Sequence, residues 1–566
     1  MADDPLDRLK SMSIQPVSSF GKSGGSTGRS LISSAKVGAD LGRRFNGWRL
    51  RRRLEQEGYD PITIDAAVEA VKAGRDPKPI LVAGREAQKS LRRKDEMRRN
   101  PPPVHGSAHW ASPSHLIAAG LLSDTPPDDG RGIVLGTVDE QHLHWTGQSH
   151  LMTVAPTRTG KGTMQIIPNL LRYRGSAVVL DPKGELAAAT ADWRAANVGP
   201  VYIINPFAAP ACGNKTHAFN PLDHVKTEQD ATKLAEMIYP RVDDDRQRFF
   251  DNEAIGFLSG VLLFTALYAS PAQRTFGTIR DTVSSINRNL YGLLEAMSDP
   301  VMPNAIRNAA LNVHTKTRET GLPRVIDSLS QHLRIWDTPG LRTATACSDF
   351  DFRSLKDQPA TVYLVLPFEE LTTYSTFVKM MFAAALDAML ANPRVPDIPV
   401  LFVLDEFLAL DADDRFVSAL RTHASAGVRL WFFLQDLPTL EQKYPTTWKS
   451  FLQAEVKSFF GADDPHTAEL VSSYLGDHTV AYEVPNATLS VGSGASYSIS
   501  DNLHLTGRRL MMPDEVIRFL AAVDPRLPRN AVQFIRGVPP IRARMTPWFT
   551  DSTLAARHSE GARDEA

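Results

Sequence analysis

Residues 155–163 read A-P-T-R-T-G-K-G-T and place a lysine between two glycines, at the spacing of a phosphate-binding loop. The common pattern is G-x-x-x-x-G-K-[ST], in which backbone N–H groups surround the phosphates and the lysine neutralises the terminal ones. Gly160 allows a close approach of the backbone because it has no Cβ, and Lys161 is the candidate phosphate lysine. Two positions depart from the pattern: Ala155 replaces the first glycine, and Gly162 stands where a hydroxyl is expected.

Two adjacent acids, Asp405 and Glu406, follow the apolar run PVLFVL. A buried strand of this kind would deliver both carboxylates at its C-terminal end. Asp405 can hold Mg²⁺, directly or through water, and Glu406 can orient or deprotonate an attacking water. The alternative is that the acids only cap a following helix. Gln435 ends a further apolar run, where its amide can sense a terminal phosphate or position water; a turn-forming glutamine is the open alternative.

The glycine at position 162 removes the hydroxyl that usually joins the metal shell. Thr163 comes one position too late, and Thr159 lies on the other side of Lys161. Mg²⁺ would therefore depend on phosphate oxygens, water and Asp405 as the metal ligand, which suits an ion that keeps several waters. The residues predicted to bind the nucleotide are Pro156, Thr157, Arg158, Thr159, Gly160, Lys161, Gly162 and Thr163.

Six short apolar runs, rich in Val, Ile, Leu and aromatic residues, predict the strands that position these groups. They are HLMTVA (150–155), SAVVLD (176–181), VYIINP (201–206), ATVYLVLP (360–367), PVLFVLDE (399–406) and VRLWFFLQD (428–436). Such continuous runs are typical of parallel strands covered on both faces. The loop lies between the first run and a predicted helix, TMQIIPNLLRYRG, which is the order that a phosphate loop needs. Between Asp223 and about Thr345 the pattern becomes helical, so we expect an α/β fold with an all-helical insertion.

The composition is ordinary: 42% of the 566 residues are hydrophobic, 22% are charged, and the formal net charge is −1. Nucleic-acid binding would therefore depend on local basic patches. Two cysteines, Cys212 and Cys347, exclude a disulfide framework and are typical of a reducing compartment. The start, MADDPLDRLK, is not a secretory signal. The uncharged stretch from Ala254 to Gln273 ends its apolar part at about Ala269, so we expect a buried helix rather than a membrane span.

The N-terminal part is polar and basic. Residues 1–40 are rich in Ser, Gly and Lys without apolar periodicity, which predicts disorder. The run from Arg43 to Arg53 contains six arginines and no acid, and a second basic run, REAQKSLRRKDEMRRNPPP, ends in prolines. Solvated helix faces explain such runs. The alternative is a basic arm that contacts anionic lipid, DNA or a partner ring.

From His150 to Asp551 the chain resembles the coupling ATPases of type IV secretion and conjugation, of the TraG/TraD kind. The segments that carry the resemblance are APTRTGKG with IPNLL, RGSAVVLDPKGEL, AFNPLD, SDFDFRSLKDQPATVYLVLP, LFVLDEF, LWFFLQDLPTLEQKYP, FFGADDPHTAELVSSYLG, TGRRLMMPDEV and QFIRGVPPIRARMTPWF. Ordinary P-loop proteins lack DPKGEL after a strand and GRRLMMPDE near the C-terminus. In this group a glycine after the loop lysine and an alanine at the first loop position are frequent variants, which favours a working site.

The resemblance implies a RecA-like P-loop NTPase domain with a mostly parallel sheet and an all-α insertion, assembled as a homo-hexamer that uses ATP and Mg²⁺. By position it assigns Lys161 as the phosphate lysine, Asp405 and Glu406 as the acidic pair, and Gln435 as the motif glutamine. Such motors deliver DNA, expected to be single-stranded with an attached relaxase, or protein effectors to a type IV secretion channel. The DPKGE segment is expected near a subunit interface or the phosphates, a simple turn being the alternative.

Two features depart from the group. Its members usually begin with two transmembrane helices, which nothing in residues 1–149 can form, so we expect a cytoplasmic protein that is peripheral at the bacterial inner membrane, through the arginine-rich arm or a separate chain. The group often has an arginine near the segment THASAGV, where this chain has Ala424 and Ser425. Arg421 and Arg429 are the nearby candidates for a finger that reaches a neighbour's γ-phosphate, a contact that contributes a factor of ~10³–10⁵ in rate.

The expected organisation combines these elements. Its segments are a basic, partly disordered N-terminal extension (1–110), the first part of a nucleotide-binding domain (111–224), an all-helical insertion (225–345), the second part of the nucleotide-binding domain (346–545) and a C-terminal tail (546–566). Within the insertion, Lys316, Arg318 and Arg324 are candidate DNA contacts. The leading functional hypothesis is an ATP-driven coupling protein. The alternatives are a nucleotide-binding docking receptor for protein substrates with little ATPase activity, and a soluble DNA pump of the FtsK/HerA kind.

Overall fold

The structure is a computed structural model that describes residues 46–125, 130–213, 216–239, 245–284, 286–316, 321–410, 412–490, 496–521, 524 and 526–561. The predicted disorder of residues 1–40, the first two arginines of the basic run and Arg318 lie outside the described residues, as does the side chain of Lys316.

The strands of the described residues, in chain order, are β1 (Leu122–Ser123), β2 (Ile133–Val138), β3 (Gln141–Trp145), β4 (Leu151–Val154), β5 (Ala177–Asp181), β6 (Val201–Ile204), β7 (Thr361–Val365), β8 (Val400–Leu404), β9 (Val428–Leu434), β10 (Val456–Phe459), β11 (Asp477–Ser490), β12 (Ser496–Arg509), β13 (Arg529–Ile535) and β14 (Ile541–Met545).

The helices are α1 (46–56), α2 (Pro61–Lys72), α3 (Lys78–Arg99), α4 (Pro113–Ala118), α5 (Ile167–Leu170), α6 (Glu185–Asn197), α7 (Glu228–Ile238), α8 (Asp245–Tyr268), α9 (Phe276–Val283), α10 (Arg288–Met297), α11 (Asn304–Lys316), α12 (Gly321–His332), α13 (Pro339–Ala344), α14 (Phe368–Leu371), α15 (Ser375–Ala391), α16 (Asp414–Thr422), α17 (Leu437–Lys443), α18 (Pro465–Leu475), α19 (Pro513–Leu520) and α20 (Ser552–Gly561). A π turn, Gly162–Ile166, precedes α5. Short 3₁₀ turns lie at Pro210–Cys212, Pro221–His224, Leu333–Asp337, Phe352–Lys356, Phe407–Ala409, Ala424–Ala426, Trp448–Gln453 and Trp548–Thr550.

The chain divides into two units, and the smaller one joins the residues up to Ala108 with Gly476–Leu510. It contains α1 to α3 and the antiparallel hairpin of β11 and β12. A small apolar core holds α1 against α2 through Leu54 and Ile64. The helix α2 begins where the sequence directs it, because the Asp60 side chain accepts a hydrogen bond from the backbone N–H of Thr63 and Pro61 needs no such partner.

The larger unit, residues 109–475 and 511–566, is built on one sheet of twelve strands among the described residues. The strand order is β1-β3-β2-β14-β13-β10-β4-β9-β8-β5-β7-β6. The seven strands from β10 to β6 are parallel, and the other five pair antiparallel. The six predicted strands are β4 to β9, and the predicted α/β class with a mostly parallel sheet is confirmed.

The parallel strands are apolar because helices cover both of their faces. Every residue of β5, β7, β8 and β9 is buried. The main core lies between the parallel strands and α5, α6 and α20, and it includes Leu170, Trp193 and Leu554. The segment expected as a C-terminal tail therefore contains a helix that contributes to this core.

The chain between β6 and β7 is helical, running from α7 to α13 with no strand in the part that the structure describes. The apolar stretch after Ala254 belongs to α8, where Phe257, Leu258, Val261 and Leu262 are buried. The prediction of a buried helix is confirmed. None of the helices that the structure describes combines the length and the apolar character needed to cross a membrane.

The strand order decides where the site lies. Ligands bind at the carboxyl edge of a parallel sheet, where consecutive strand ends meet. The strand before the loop, β4, lies beside β9, which lies beside β8. The loop, Gln435 and the two acids therefore follow three neighbouring strands at one edge of the sheet.

Candidate functional site

The loop after β4 has a tightly curved backbone. The N–H of Ala155 still donates to Leu434 O on β9, at 2.9 Å. Arg158 and Gly160 then adopt positive φ angles of 60° and 91°. A left-handed conformation at a non-glycine residue carries strain and is concentrated at functional sites. The Thr159 hydroxyl donates to Pro156 O at 2.6 Å and closes the turn.

The helix that follows the loop begins with a π turn, Gly162–Ile166, before it continues as α5. Such turns are rare and recur at functional sites. A Cβ added at Gly162 would contact only Leu186 Cδ2, at an ordinary 3.8 Å, and the φ angle there is not positive. Neither space nor backbone conformation requires glycine at this position, so the hydroxyl is absent for a reason other than packing.

Lys161 and Glu406, which are 245 positions apart, form an ion pair at this edge. The distance from Lys161 Nζ to Glu406 Oε1 is 3.1 Å, and the side chains are only 7% and 13% exposed. Gln435 Nε2 donates to the other oxygen of Glu406, at 2.6 Å. The structure thus brings together the predicted phosphate lysine, the predicted water-orienting glutamate and the motif glutamine. Glu406 itself has a positive φ of 51°, a second point of strain.

Asp405 occupies an electrostatically unusual place in this cluster. Burial raises the pKa of its carboxyl to about 7, the neighbouring Glu406 and Asp181 act in the same direction, and the Lys161 cation opposes them. Its Oδ1 atom is buried without a hydrogen-bond partner among the described residues. An unpaired buried carboxylate oxygen is costly unless a cation joins it, so this atom fits the predicted role of a metal ligand. No group of three or more His, Cys, Asp or Glu suitable for a metal occurs in the described part of the chain.

The DPKGE segment forms the turn between β5 and α6. Asp181 Oδ2 accepts a hydrogen bond at 2.8 Å from the N–H of Ala187 in the first turn of α6, after Gly184 at φ 72°. Burial raises the pKa of Asp181 to about 6. Asp181 therefore fixes the start of α6. Lys183 and Glu185 are exposed, which leaves them available to a neighbouring subunit.

The two candidate finger arginines differ in their exposure to solvent. Arg429 is fully buried, and its guanidinium donates to three backbone carbonyl oxygens in the segments that precede β2 and β4. It fixes these segments to the start of β9, so its prediction as a finger is wrong. Arg421 is exposed on α16, where its Nη2 atom contacts Ser450 Oγ at 3.4 Å. Its role at a neighbouring site stays a prediction.

Some residues that shape the site are not apparent from the motif. Gly461 follows β10 with a φ of 67°, and a Cβ there would lie 2.5 Å from Thr159 Cγ2. The phosphate loop therefore packs on a glycine of the neighbouring strand end. Its sequence signal is the glycine in FFGADD, directly after a strand. Beneath the loop helix, Gln165 is fully buried and hydrogen-bonded on both sides, a feature for which the sequence has no local signal.

Comparisons with known proteins identify the family of this chain. A family model described as type IV secretory system conjugative DNA transfer matches residues 108–565. The chain is 25% identical over 480 residues to Protein VirD4 of Rhizobium radiobacter, an alignment that covers 80% of this chain and 64% of that protein, slightly less than two thirds. It is also 25% identical over 504 residues to the conjugal transfer protein TraG of Escherichia coli, covering 80% of this chain and 78% of the relative.

Solved structures show the same fold. The plasmid coupling protein TrwB in complex with the non-hydrolysable ATP analogue ADPNP has a TM-score of 0.53 at 17% identity, covering 78% of this chain and 92% of that one. TrwB in complex with ADP and Mg²⁺ also has a TM-score of 0.53, at 16% identity, covering 78% and 93%. The predicted RecA-like P-loop fold is thereby confirmed.

Proposed function

This chain belongs to the type IV secretory system conjugative DNA transfer family, and we propose that it is an ATP-driven coupling protein that delivers its substrate to a type IV secretion channel. One observation carries the proposal. A single carboxylate, Glu406, lies between Lys161 and Gln435 beside the curved loop. A lysine, an acid and an amide that converge at the carboxyl edge of a RecA-like sheet are the groups that phosphoryl transfer to water requires.

In the proposed reaction the loop binds the phosphates of ATP. Lys161 leaves Glu406 and pairs with the β- and γ-phosphates, and the loop residues 156–163 supply backbone N–H groups. Glu406, freed from the lysine, orients and deprotonates the attacking water, while Gln435 keeps the carboxylate in place. Asp405 would hold Mg²⁺, which supplies charge neutralisation of the phosphate oxygens. The TrwB complexes with an ATP analogue and with ADP and Mg²⁺ support these ligands.

The substrate and partners that we propose are those that the family resemblance implies. We propose that the chain forms a homo-hexamer, with Arg421 reaching the nucleotide of the neighbour. Its cargo is single-stranded DNA with a bound relaxase, or a protein effector, handed to the channel components. We place the protein in the cytoplasm at the bacterial inner membrane, which it contacts through the arginines from Arg43 to Arg53. The family description, conjugative DNA transfer, and the similarity to a conjugal transfer protein, TraG, support the DNA-transfer assignment.

ATP hydrolysis by the purified full chain tests the proposal. The rate is measured with and without single-stranded DNA for the wild type and for Lys161→Ala. The expected result is a DNA-stimulated rate that the variant lacks, because Lys161 is the cation proposed to pair with the terminal phosphates. Asp397→Asn replaces an exposed acid just before β8, at the amino end of the parallel strands, and is the control that keeps the wild-type rate. A rate that is equal in wild type and Lys161→Ala would contradict the proposal.

A docking receptor that binds nucleotide but hydrolyses little is the second candidate. Gly162 favours it because the metal lacks the usual hydroxyl, and the burial of Arg429 favours it because one of two candidate fingers is removed. This receptor would bind ATP through Lys161 yet show no DNA-stimulated hydrolysis. The same assay, combined with equilibrium ATP binding, therefore separates the two functions. The soluble DNA pump is the least favoured alternative, because the family model matches most of this chain.

A further inference from the structure

The phosphate-loop helix rests on a glutamine that has no place in the loop motif. Gln165 lies within the π turn and is fully buried. Its Oε1 atom accepts from the Thr153 hydroxyl at 2.9 Å, and its Nε2 atom donates to the Ser458 hydroxyl at 2.9 Å. Thr153 belongs to β4 and Ser458 to β10. One amide thus joins the loop helix to two strands of the sheet beneath it.

The hydrogen bonds continue to a third strand. Trp431 Nε1 donates to Thr153 Oγ1 at 3.0 Å. Trp431 is a residue of β9, the strand that ends one position before Gln435. An unbroken series of hydrogen bonds therefore runs from β10 through the loop helix and β4 to the strand that carries the motif glutamine. Each member is buried, so water does not compete for these bonds.

A second amide, Asn169, holds the same helix one turn later. Its Nδ2 atom donates to Gln165 O at 2.8 Å and to Val134 O at 3.0 Å, and its Oδ1 atom accepts from the Val134 N–H at 2.7 Å. The register of β2 shifts directly after Val134. The side chain thus pairs with backbone groups at an irregularity of the sheet and fixes the helix against β2.

These amides lie where an apolar side chain would satisfy packing. Their neighbours on the loop helix, including Met164, Ile166, Ile167 and Leu170, belong to the apolar core. Burial of a polar group costs free energy unless it is fully hydrogen-bonded, and a satisfied network in return defines one geometry. The π turn must hold one geometry, because it directly follows Lys161 and the loop N–H groups and so determines where they lie.

We propose that Gln165 is a positioning residue of the nucleotide site. Its amide fixes the π turn on β4 and β10 so that Lys161 and the loop backbone hold the arrangement that binds a triphosphate. Through Thr153 and Trp431 it also sets the loop relative to the end of β9 and thus to Gln435. The inference rests on the proposed function, since it names a further residue of the same site. Gln165 itself does not contact the nucleotide.

Replacement by methionine of similar size tests the proposal. Gln165→Met leaves Thr153 and Ser458 without their partner and allows the π turn to shift. A misplacement of about 1 Å at a site costs up to ~10²-fold in rate, so we expect kcat/KM for ATP to fall ~10–100-fold, mostly through a raised KM. Equilibrium binding of a fluorescent ATP analogue should weaken in the same proportion.

The control is Ser176→Ala, which also removes buried hydrogen bonds of a polar side chain. The Ser176 hydroxyl donates to Leu355 O at 2.6 Å and accepts from the N–H of Ala360 at 3.0 Å, at the opposite, amino end of the parallel strands. Both variants should lower the unfolding temperature to a similar extent. Only Gln165→Met should weaken ATP binding. If Gln165 contributed to stability alone, the two variants would bind ATP equally well.

Ser458→Ala removes only the β10 end of the network and provides a milder second variant. We expect it to weaken ATP binding in the same direction and by a smaller factor, even where Gln165→Met fails to fold. Wild-type affinity in a folded Gln165→Met, or in Ser458→Ala when the other variant is unfolded, would overturn the inference while the proposed function stands. Absence of ATP binding by the wild type would overturn the proposed function and this inference with it.

Discussion

In the proposed function the ion pair between Lys161 and Glu406 competes with the nucleotide, and replacing the glutamate tests this competition. In the structure Lys161 Nζ is bonded to Glu406 Oε1 at 3.1 Å in a setting where both side chains are at most 13% exposed. If Lys161 binds phosphate as proposed, ATP must first displace this partner. Glu406→Gln keeps the size and an amide oxygen that can still accept from Lys161, but it removes the negative charge. We therefore expect the variant to bind ATP more tightly and to hydrolyse it much more slowly.

The magnitude follows from the two kinds of hydrogen bond. A hydrogen bond to a charged group contributes about 1.5–3 kcal/mol; we assign the upper end to the ion pair, in which both partners are charged, and the lower end to the lysine–amide bond of the variant. The free energy released to binding is therefore about 1–2 kcal/mol, and since 1.4 kcal/mol is a factor of ten, affinity should rise ~5–30-fold. Loss of the general base should lower kcat by ~10²–10⁴-fold.

Equilibrium titration with a fluorescent ATP analogue measures the affinity of four proteins: the wild type, Glu406→Gln, Lys161→Ala and the double variant. Removal of the negative charge also relieves repulsion of the phosphates, and the double variant separates this effect from the ion pair. The gain from Glu406→Gln should be smaller when Lys161 is absent. Asp397→Asn, at the opposite edge of the sheet, should bind as the wild type does. Unchanged or weaker binding by Glu406→Gln, or an equal gain in both backgrounds, would refute the competition.

Two further predictions concern the metal ligands. Gly162→Ser should fold normally, because a Cβ there meets only Leu186 at 3.8 Å. The serine restores the loop hydroxyl, so it should lower the Mg²⁺ concentration for half-maximal ATP binding several-fold. An unchanged Mg²⁺ requirement would show that a hydroxyl at this position does not contact the metal. Burial raises the pKa of Asp405 to about 7, so the folded state holds a proton that the unfolded state loses near pH 4. The free energy of unfolding should therefore fall as the pH rises from 4 to 7. Each unit by which the folded pKa exceeds the unfolded pKa corresponds to up to about 1.4 kcal/mol. Asp405→Asn should lack this part of the dependence in urea titrations at pH 5 and pH 8, and parallel curves for the two proteins would contradict the prediction.

The parallel half of the sheet was predictable because burial on both faces leaves continuous apolar runs. The seventh parallel strand, β10, does not have this pattern. It contains Lys457, whose amine contacts Ala454 O and lies over the ring of Tyr474. Among the antiparallel strands, β3 (QHLHW) and β14 (IRARM) alternate polar with apolar residues, and β1 has only two residues. The smaller unit could not be predicted either, because it joins helices near the N-terminus to residues such as Thr479, which bonds to His105 across 374 positions.

The convergence at the site was predictable for a different reason. Residues that follow parallel strands meet at one edge, whatever their separation along the chain. The sequence does not contain the strand order, however, and it is the order that places β9 between β4 and β8 and so brings Gln435 to Glu406. The error at Arg429 has the same origin. The Arg429 guanidinium is buried because it donates to three carbonyl oxygens from two segments that are distant in the sequence. No local sequence pattern distinguishes Arg429 from the exposed Arg421.

The arrangement of charges explains how this loop can function with a glycine in place of the hydroxyl. In the structure Lys161 and Gln435 hold Glu406, and Asp405 has a buried carboxylate oxygen without a hydrogen-bond partner among the described residues. In the proposed function, binding of Mg²⁺ and ATP would be an exchange of partners: the phosphates would pair with Lys161, Asp405 would hold the metal, and Glu406 would be released to act on water while Gln435 keeps it in position. Because release of Glu406 depends on the phosphates reaching Lys161, an empty site cannot present an active base. The hydroxyl adds a metal ligand to this exchange, but the exchange does not require it.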